Sequence, residues 1–260
     1  MLRSDGLGNG LSAGFAESGF ADPASRVLRW PGGLNIRDLG PRTLPDGSRL
    51  PARAIVRSGT LAELTGAGWT TLSDAAIRTV IDLRNEDEVA EDSQAAPLEV
   101  KRLHLPLDAI DDRQFWDRWT RDFEFGTPRY YGPHLRRHPE RGARVIRAIA
   151  DASPGGVLFH CGLGRDRTGL VAILVLALLG APAEEICEDY LLSRDSLKAT
   201  WEARGLADQD EVIERKLDAE RTSLGELVFD FVSWLDVATV LAPGGLTAED
   251  VIRLRARLLR

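Results

Sequence analysis

The stretch His160-Cys161-Gly162-Leu163-Gly164-Arg165-Asp166-Arg167-Thr168 puts a thiol, two arginines, a carboxylate and a hydroxyl within nine positions. A cysteine that ends a strand and is followed by a glycine-containing turn into a helix has its sulfur over the helix's free N–H groups and positive dipole end. That field favours thiolate over thiol, and Arg165, Arg167 and the Thr168 hydroxyl add to it, which makes Cys161 a candidate nucleophile. Arg167 stands six positions after Cys161, so a loop can curl around a tetrahedral dianion while the planar guanidinium donates two hydrogen bonds to its oxygens. A leaving oxygen also needs a proton. Candidate acids are Asp166 inside the loop and Asp108, Asp111 and Asp112 before it.

Two nucleotide-binding readings of the same glycines fail on spacing, and a non-catalytic phosphate-binding module is the alternative of a different class. In Gly162-Leu163-Gly164-Arg165-Asp166-Arg167, the third glycine of a dinucleotide fingerprint is replaced by Arg167. No Gly-Lys-Ser/Thr ending is present for a nucleotide phosphate loop. A phosphate-binding module without turnover has no need of a cysteine, an arginine and an acid together. A sulfur-transfer enzyme of rhodanese type also uses a cysteine loop, but the six-residue step to Arg167 followed by Thr168 favours phosphate. His134 and His138 share a helix face at four-residue spacing, yet no Glu follows the first and no third ligand is near, so no metal is expected. Cys187, without basic neighbours, reads as a packing residue.

The elements that must hold this loop are legible from periodicity and turn signals. Val157 to His160 reads as a buried strand and Thr168 to Leu179 as the helix after it. Upstream, extended segments are expected at Val27 to Trp30, Leu34 to Ile36 and Ala54 to Val56, with turns at Pro31-Gly32-Gly33 and Pro45-Asp46-Gly47. A helix around Thr71 to Ile77 leads into a strand at Thr79 to Ile81, and Lys101 to Leu105 forms another. Later helices are placed at Ala183 to Leu192, Asp208 to Ala219, Leu227 to Leu241 and Thr247 to Leu259. Strands alternating with helices imply an α/β sheet. Several charged residues end predicted strands, where open α/β sheets bind ligands, so Arg37, Asp38, Arg57, Asp82 and Arg84 are candidate substrate contacts.

Residues 106–140 carry Trp116, Trp119, Phe123, Phe125, Tyr130 and Tyr131 and read either as core or as a lid over the pocket. The acidic run Glu86, Asp87, Glu88, Glu91 and Asp92 reads as a solvated helix face.

The 260 residues are 43% hydrophobic and 28% charged, with a formal net charge of -7 and a pI near 5.3. Such totals describe an ordinary globular chain and exclude a broad basic surface for nucleic acid or membrane. Two cysteines are too few for a disulfide framework, which fits a reducing, cytoplasmic setting. The longest apolar run, Leu170 to Leu179, is about half of what a bilayer needs. Residues 1–25, rich in Gly, Ser, Ala and Asp, read as a flexible tail and not a signal peptide, and residues 26–260 as one catalytic domain.

His-Cys, five residues, then Arg-Thr resembles the signature of the protein-tyrosine and dual-specificity phosphatase superfamily. Asn35-Ile36-Arg37-Asp38-Leu39-Gly40, Arg57-Ser58-Gly59, Val80-Ile81-Asp82-Leu83-Arg84 and Asp189-Tyr190-Leu191-Leu192-Ser193 are similar to its atypical bacterial tyrosine phosphatases, some of which accept phosphoinositides. The resemblance spans about Leu34 to Ser193. It implies a central mixed sheet flanked by helices, with a helical lid and a helical C-terminal part. It also implies hydrolysis of phosphotyrosine, with phosphoserine, phosphothreonine or phosphoinositides as further substrates, through a phosphocysteine intermediate and without a cofactor. Cys161 would be the nucleophile, Arg167 the clamp and Asp166 the general acid. Gly162, Leu163, Gly164, Arg165, Thr168, His160, Asp82, Arg57 and Arg37 would surround the substrate. Arg165 stands where that branch usually has lysine, which keeps the charge but adds a planar fork.

Overall fold

The computed structural model describes residues 23–89 and 97–260. The expected tail up to residue 22, Glu91, Asp92 and the side chain of Phe123 lie outside the described residues. A five-stranded sheet forms the centre. It is built from β1 (Arg37–Asp38), β4 (Ile55–Ser58), β5 (Ile77–Asp82), β6 (Lys101–His104) and β7 (Gly156–His160), in the order β1-β4-β7-β5-β6. The strands β4, β7, β5 and β6 run parallel, and β1 lies antiparallel to β4 at the edge. The turn at Pro45-Asp46-Gly47 joins a separate small hairpin, β2 (Arg42–Thr43) to β3 (Arg49–Leu50).

Residue alternation along the strands decides which face each side chain enters. Ile55, Ile81, Val157 and Phe159 join the large core, whereas Val56, Val80 and Leu158 face the opposite side with Trp69 and Leu72 of α1 (Gly66–Asp74). Both faces of the sheet are therefore covered, which is why β7 is fully buried. After β5 comes a single turn, α2 (Glu86–Val89). Between β6 and β7 lie α3 (Arg113–Trp119), α4 (Tyr131–Arg137) and α5 (Pro139–Ala150).

Beyond β7, α6 (Asp166–Leu179) is apolar almost all round and runs through the large core, ending at Gly180 with φ +87°. Helices α7 (Ala183–Arg204), α8 (Gln209–Ala219), α9 (Leu224–Trp234), α10 (Val237–Leu241) and α11 (Ala248–Leu258) complete the chain.

Most expected elements are present with shifted bounds. The first helix begins earlier than expected, at Gly66, because the Thr65 side chain caps it, and it stops before Ala76, which has φ +57°. Val27 makes only one isolated bridge to Arg37 and Leu34 to Ile36 is not a strand, so neither expected N-terminal strand forms and the edge strand β1 falls just after them. Among the described residues no helix is long and apolar enough to cross a membrane, and no cluster of His, Cys, Asp and Glu could hold a metal ion.

Candidate active site

The parallel strands all point their C-terminal ends at one edge of the sheet, and the chemistry gathers there. Ser58-Gly59-Thr60 follows β4, Glu88 follows β5, Asp108 follows β6 and Cys161 follows β7. These side chains are far apart in sequence, and parallel topology alone brings them together.

The loop between β7 and α6 is held from behind by its carbonyls. Thr60 N–H donates to the Gly162 carbonyl at 2.7 Å, the Asn35 side-chain amide to Leu163 O at 3.1 Å and the Arg57 guanidinium to Gly164 O at 2.8 Å. In a trans peptide the next N–H points opposite to the carbonyl. Anchoring these oxygens outward therefore turns the N–H groups of Leu163, Gly164 and Arg165 into the loop's concavity, where an oxyanion would sit. Gly164 has φ +74°, and a Cβ there would lie 2.4 Å from the Gly59 nitrogen, so this turn excludes every side chain. Thr168 closes the loop by donating to Ser58 O at 3.3 Å.

Cys161, Gly162, Leu163, Arg165, Asp166 and Arg167 line a cavity of about 290 Å³. Its remaining wall comes from Glu88, Asp108 and Gln209 with the aromatic rings of Trp116, Phe125 and Tyr130. The segment 106–140 serves both: Trp116, Phe125 and Tyr130 line the cavity, Tyr130 being also part of the core, while Phe115, Trp119 and Tyr131 are buried in the core alone.

Arg167 points both terminal nitrogens at Glu88, Nη2 donating to Oε1 at 2.7 Å, and its Nε lies 3.4 Å from Asp108 Oδ2. Burial opposes the charge on Arg167, but Glu88 outweighs it, with Cys161 and Asp108 adding, so the guanidinium stays protonated. Glu88, in the run read from sequence as a solvated face, is instead a member of the site; burial raises its carboxyl but Arg167 overrides this and lowers it. Asp108 differs. Burial pushes its carboxyl up to about 6 against the pull of Arg167, with Glu88 and Asp166 reinforcing the rise, and its Oδ1 is buried with no hydrogen-bond partner among the described residues. Asp166 also faces the cavity and accepts from Arg165 Nε at 3.3 Å. Asp112 is pinned by Arg137 and His138, Arg137 foremost in drawing its carboxyl down to about 2, and Asp111 is exposed.

Several expected substrate contacts lie behind the loop instead of in the cavity. Arg37 and Arg57 are fully buried and share Asp189, the Arg57 Nη1 donating to it at 2.5 Å, while Arg37 Nη2 reaches the Ser193 hydroxyl at 2.8 Å. Burial and the neighbouring Arg57 lower Arg37 to about 9, with Asp189 opposing. Two cations around one buried carboxylate form a frame, and Arg57 passes its position to the loop through Gly164 O. Asp82 is likewise turned inward on Arg84, accepting from its Nη2 at 2.7 Å. His160 is buried, and burial draws its imidazole down to about 4, so it is neutral beside the loop, 3.3 Å from Cys161 O through Nδ1. Arg165 is tied by Nη1 to Asp210 of α8 at 2.6 Å; burial opposes its charge, but Asp166 and Asp210 hold it protonated. His134 meets the Leu107 carbonyl and lies in the core, and Cys187, raised to about 11 by burial and nearby glutamates, stands apart from the cavity.

Sequence reading gave no site role to Glu88 or Asp210, nor to Asn35, Asp189 and Ser193, which it quoted only within the stretches that carry the family resemblance. Asn35 has φ +50°, a conformation in which asparagine is tolerated, but nothing in the sequence pairs it with Leu163.

A family model described as the tyrosine phosphatase family matches residues 28–260. The chain is 31% identical over 223 residues to a Mycobacterium tuberculosis protein named triple specificity protein phosphatase PtpB, covering 75% of this chain and 77% of that one. It is 32% identical over 153 residues to a tyrosine-protein phosphatase of Nostoc commune, a match covering 57% of this chain and about half, 51%, of that relative. A solved structure of Pseudomonas aeruginosa TpbA in complex with pTyr aligns over 91% of this chain and 100% of its own, at 18% identity and TM-score 0.41. With its phosphate-shaped loop on a parallel sheet edge and a family match from residue 28 to the last residue, this chain belongs to the tyrosine phosphatase family.

Proposed function

We propose that this protein hydrolyses phosphotyrosine in protein substrates through a phosphocysteine on Cys161. The observation that carries the reading is a cavity whose floor is the cysteine loop and whose wall is aromatic: Trp116, Phe125 and Tyr130 suit the ring of a phosphorylated phenol, while the loop N–H groups and Arg167 suit its phosphate.

In the first step the Cys161 sulfur attacks phosphorus, the P–O bond to the phenol breaks and the leaving oxygen takes a proton. Arg167 has five N–H groups, and Glu88 occupies one on each terminal nitrogen, which leaves Nε and two others for the phosphoryl oxygens. Charge spreads over those oxygens in transit, where the bidentate contact is strongest. Of the three cavity carboxyls, the surroundings favour Asp108 as donor: it is the one raised to about 6, whereas Glu88 is paired with Arg167 and Asp166 lies against the Arg165 guanidinium. A bound dianion raises Asp108 further. In the second step the Asp108 carboxylate takes a proton from water as that water attacks phosphorus, the S–P bond breaks and inorganic phosphate leaves with the thiolate restored.

The reading is tested with Cys161→Ser, which should abolish turnover of 4-nitrophenyl phosphate and phosphotyrosine peptides while retaining phosphate binding, because a hydroxyl ionises far less readily than a thiol. Turnover retained in that variant overturns it. The relative named a triple specificity phosphatase is reason to assay phosphoserine and phosphothreonine peptides alongside.

A further inference from the structure

A second cavity, of about 270 Å³, opens beside the first and shares Phe125, Arg165 and Gln209 with it. Its other walls come from the end of α7, the following loop and α8: Trp201, Leu206, Val212 and Ile213. Leu206 and Phe125 are 55% and 41% exposed at its rim, an uncommon outlay of large apolar surface next to a polar site. Among the described residues the lining contains no carboxylate, and its single cation, Arg165, is already neutralised by Asp166 and Asp210. The Trp201 side chain is buried, and its indole N–H has no partner among the described residues.

We infer that this cavity is a specificity subsite that takes the apolar side chain of a residue flanking phosphotyrosine in a protein substrate. The inference rests on the phosphotyrosine reading. Because the two cavities share Phe125, Arg165 and Gln209 as a common wall, a side chain bonded through the peptide to the residue dephosphorylated in the first lies within reach of the second. The phosphate is fixed over Cys161, the phenol ring lies between Trp116 and Phe125, and the peptide crosses Phe125 and Gln209 into the neighbouring space. The volume is below that of sites for drug-sized ligands, enough for one leucine or phenylalanine side chain and too small for a pair of acyl chains. A charged flanking residue would lose hydration there without gaining a partner.

The test is a phosphotyrosine peptide series with Asp, Ala, Leu or Phe immediately before or after the phosphotyrosine, with 4-nitrophenyl phosphate as the small control. Burial of one Leu or Phe side chain corresponds to roughly 10- to 100-fold in kcat/KM over Asp or Ala at one of the two positions. Ala207→Trp, at an exposed position on the cavity wall, should erase that preference and leave kcat/KM for 4-nitrophenyl phosphate within about twofold. A flat peptide profile, or a loss in Ala207→Trp that is equal for 4-nitrophenyl phosphate and every peptide, overturns the subsite. So does a phosphoinositide whose rate follows acyl-chain length and falls in Ala207→Trp while the peptides do not respond. Absence of turnover of 4-nitrophenyl phosphate by the unmodified protein is a different failure, which overturns the phosphatase reading and the subsite with it.

Discussion

Four carboxylates in the sequence were candidates for one proton-donor role, and their surroundings separate them. Asp112 is locked into an ion pair, Asp111 is exposed, Asp166 lies against Arg165, and Asp108 is buried with its carboxyl raised to about 6. Asp108→Asn should therefore slow phosphotyrosine turnover by about two to four orders of magnitude and 4-nitrophenyl phosphate turnover much less, since an activated phenol departs without full protonation. The pH profile checks the same point: the donor works only while protonated, so kcat should fall as pH rises through the Asp108 pKa, and that limb should vanish in Asp108→Asn. The same signature in Asp166→Asn alone would move the role to the loop, as the family resemblance implies. Cys161 and Arg167 could be proposed as nucleophile and clamp from sequence because their whole context is nine consecutive residues. Glu88 was not, since an acidic run reads as solvated and only the parallel strand order carries the end of β5 to Arg167. Glu88→Gln should lower kcat/KM about 10- to 100-fold through a misplaced guanidinium, with Glu88→Asp intermediate, measured on 4-nitrophenyl phosphate.

At the scale of elements, the strand β7 and helix α6 were readable from a buried run, a glycine turn and a second apolar run. The buried frame behind the loop was hidden for a physical reason: arginine ordinarily means surface, and the carboxylate that permits Arg37 and Arg57 to be buried stands on α7, more than 130 positions later. Helix α7 itself extends well past the expected Leu192, to Arg204, its far half buried through Leu197 and Trp201 at four-residue spacing, a sparse signal among polar residues, and Gly205 with φ +62° ends it. Removing Asp189 leaves two buried cations without their counter-charge, so Asp189→Asn should cost roughly 3–5 kcal/mol in urea unfolding. Although burial works against the charge, Arg57 and Arg37 lower the Asp189 carboxyl to about 2 from its ordinary 3.8. A lowered carboxylate contributes its stability in full above the unfolded value and loses it as pH falls through the folded one. The gap between the parent and Asp189→Asn should thus be constant above about pH 5 and close between about pH 4 and 2.

For the molecule as a whole, the proposed anion site joins elements from both halves of the chain: the loop, α2 and the segment after β6 line one cavity, and the end of β4 holds the loop from behind. An overall charge of -7 means that capture of a phosphate relies on this local geometry and not on a steering field. Inorganic phosphate at a hundredfold excess over its Kd should stabilise the fold by about 2.7 kcal/mol, seen as a raised Tm, and should fail to do so in Arg167→Ala. The central claim, that the phosphoryl group passes through Cys161, is tested most directly by acid-quenching a single turnover of a phosphotyrosine peptide within milliseconds and mapping the phosphate by mass spectrometry. The account predicts one phosphoryl group on the peptide containing Cys161, formed before inorganic phosphate is released and absent in Cys161→Ser. Phosphate released with no protein-bound phosphoryl group, or that group found on any other residue, would contradict it.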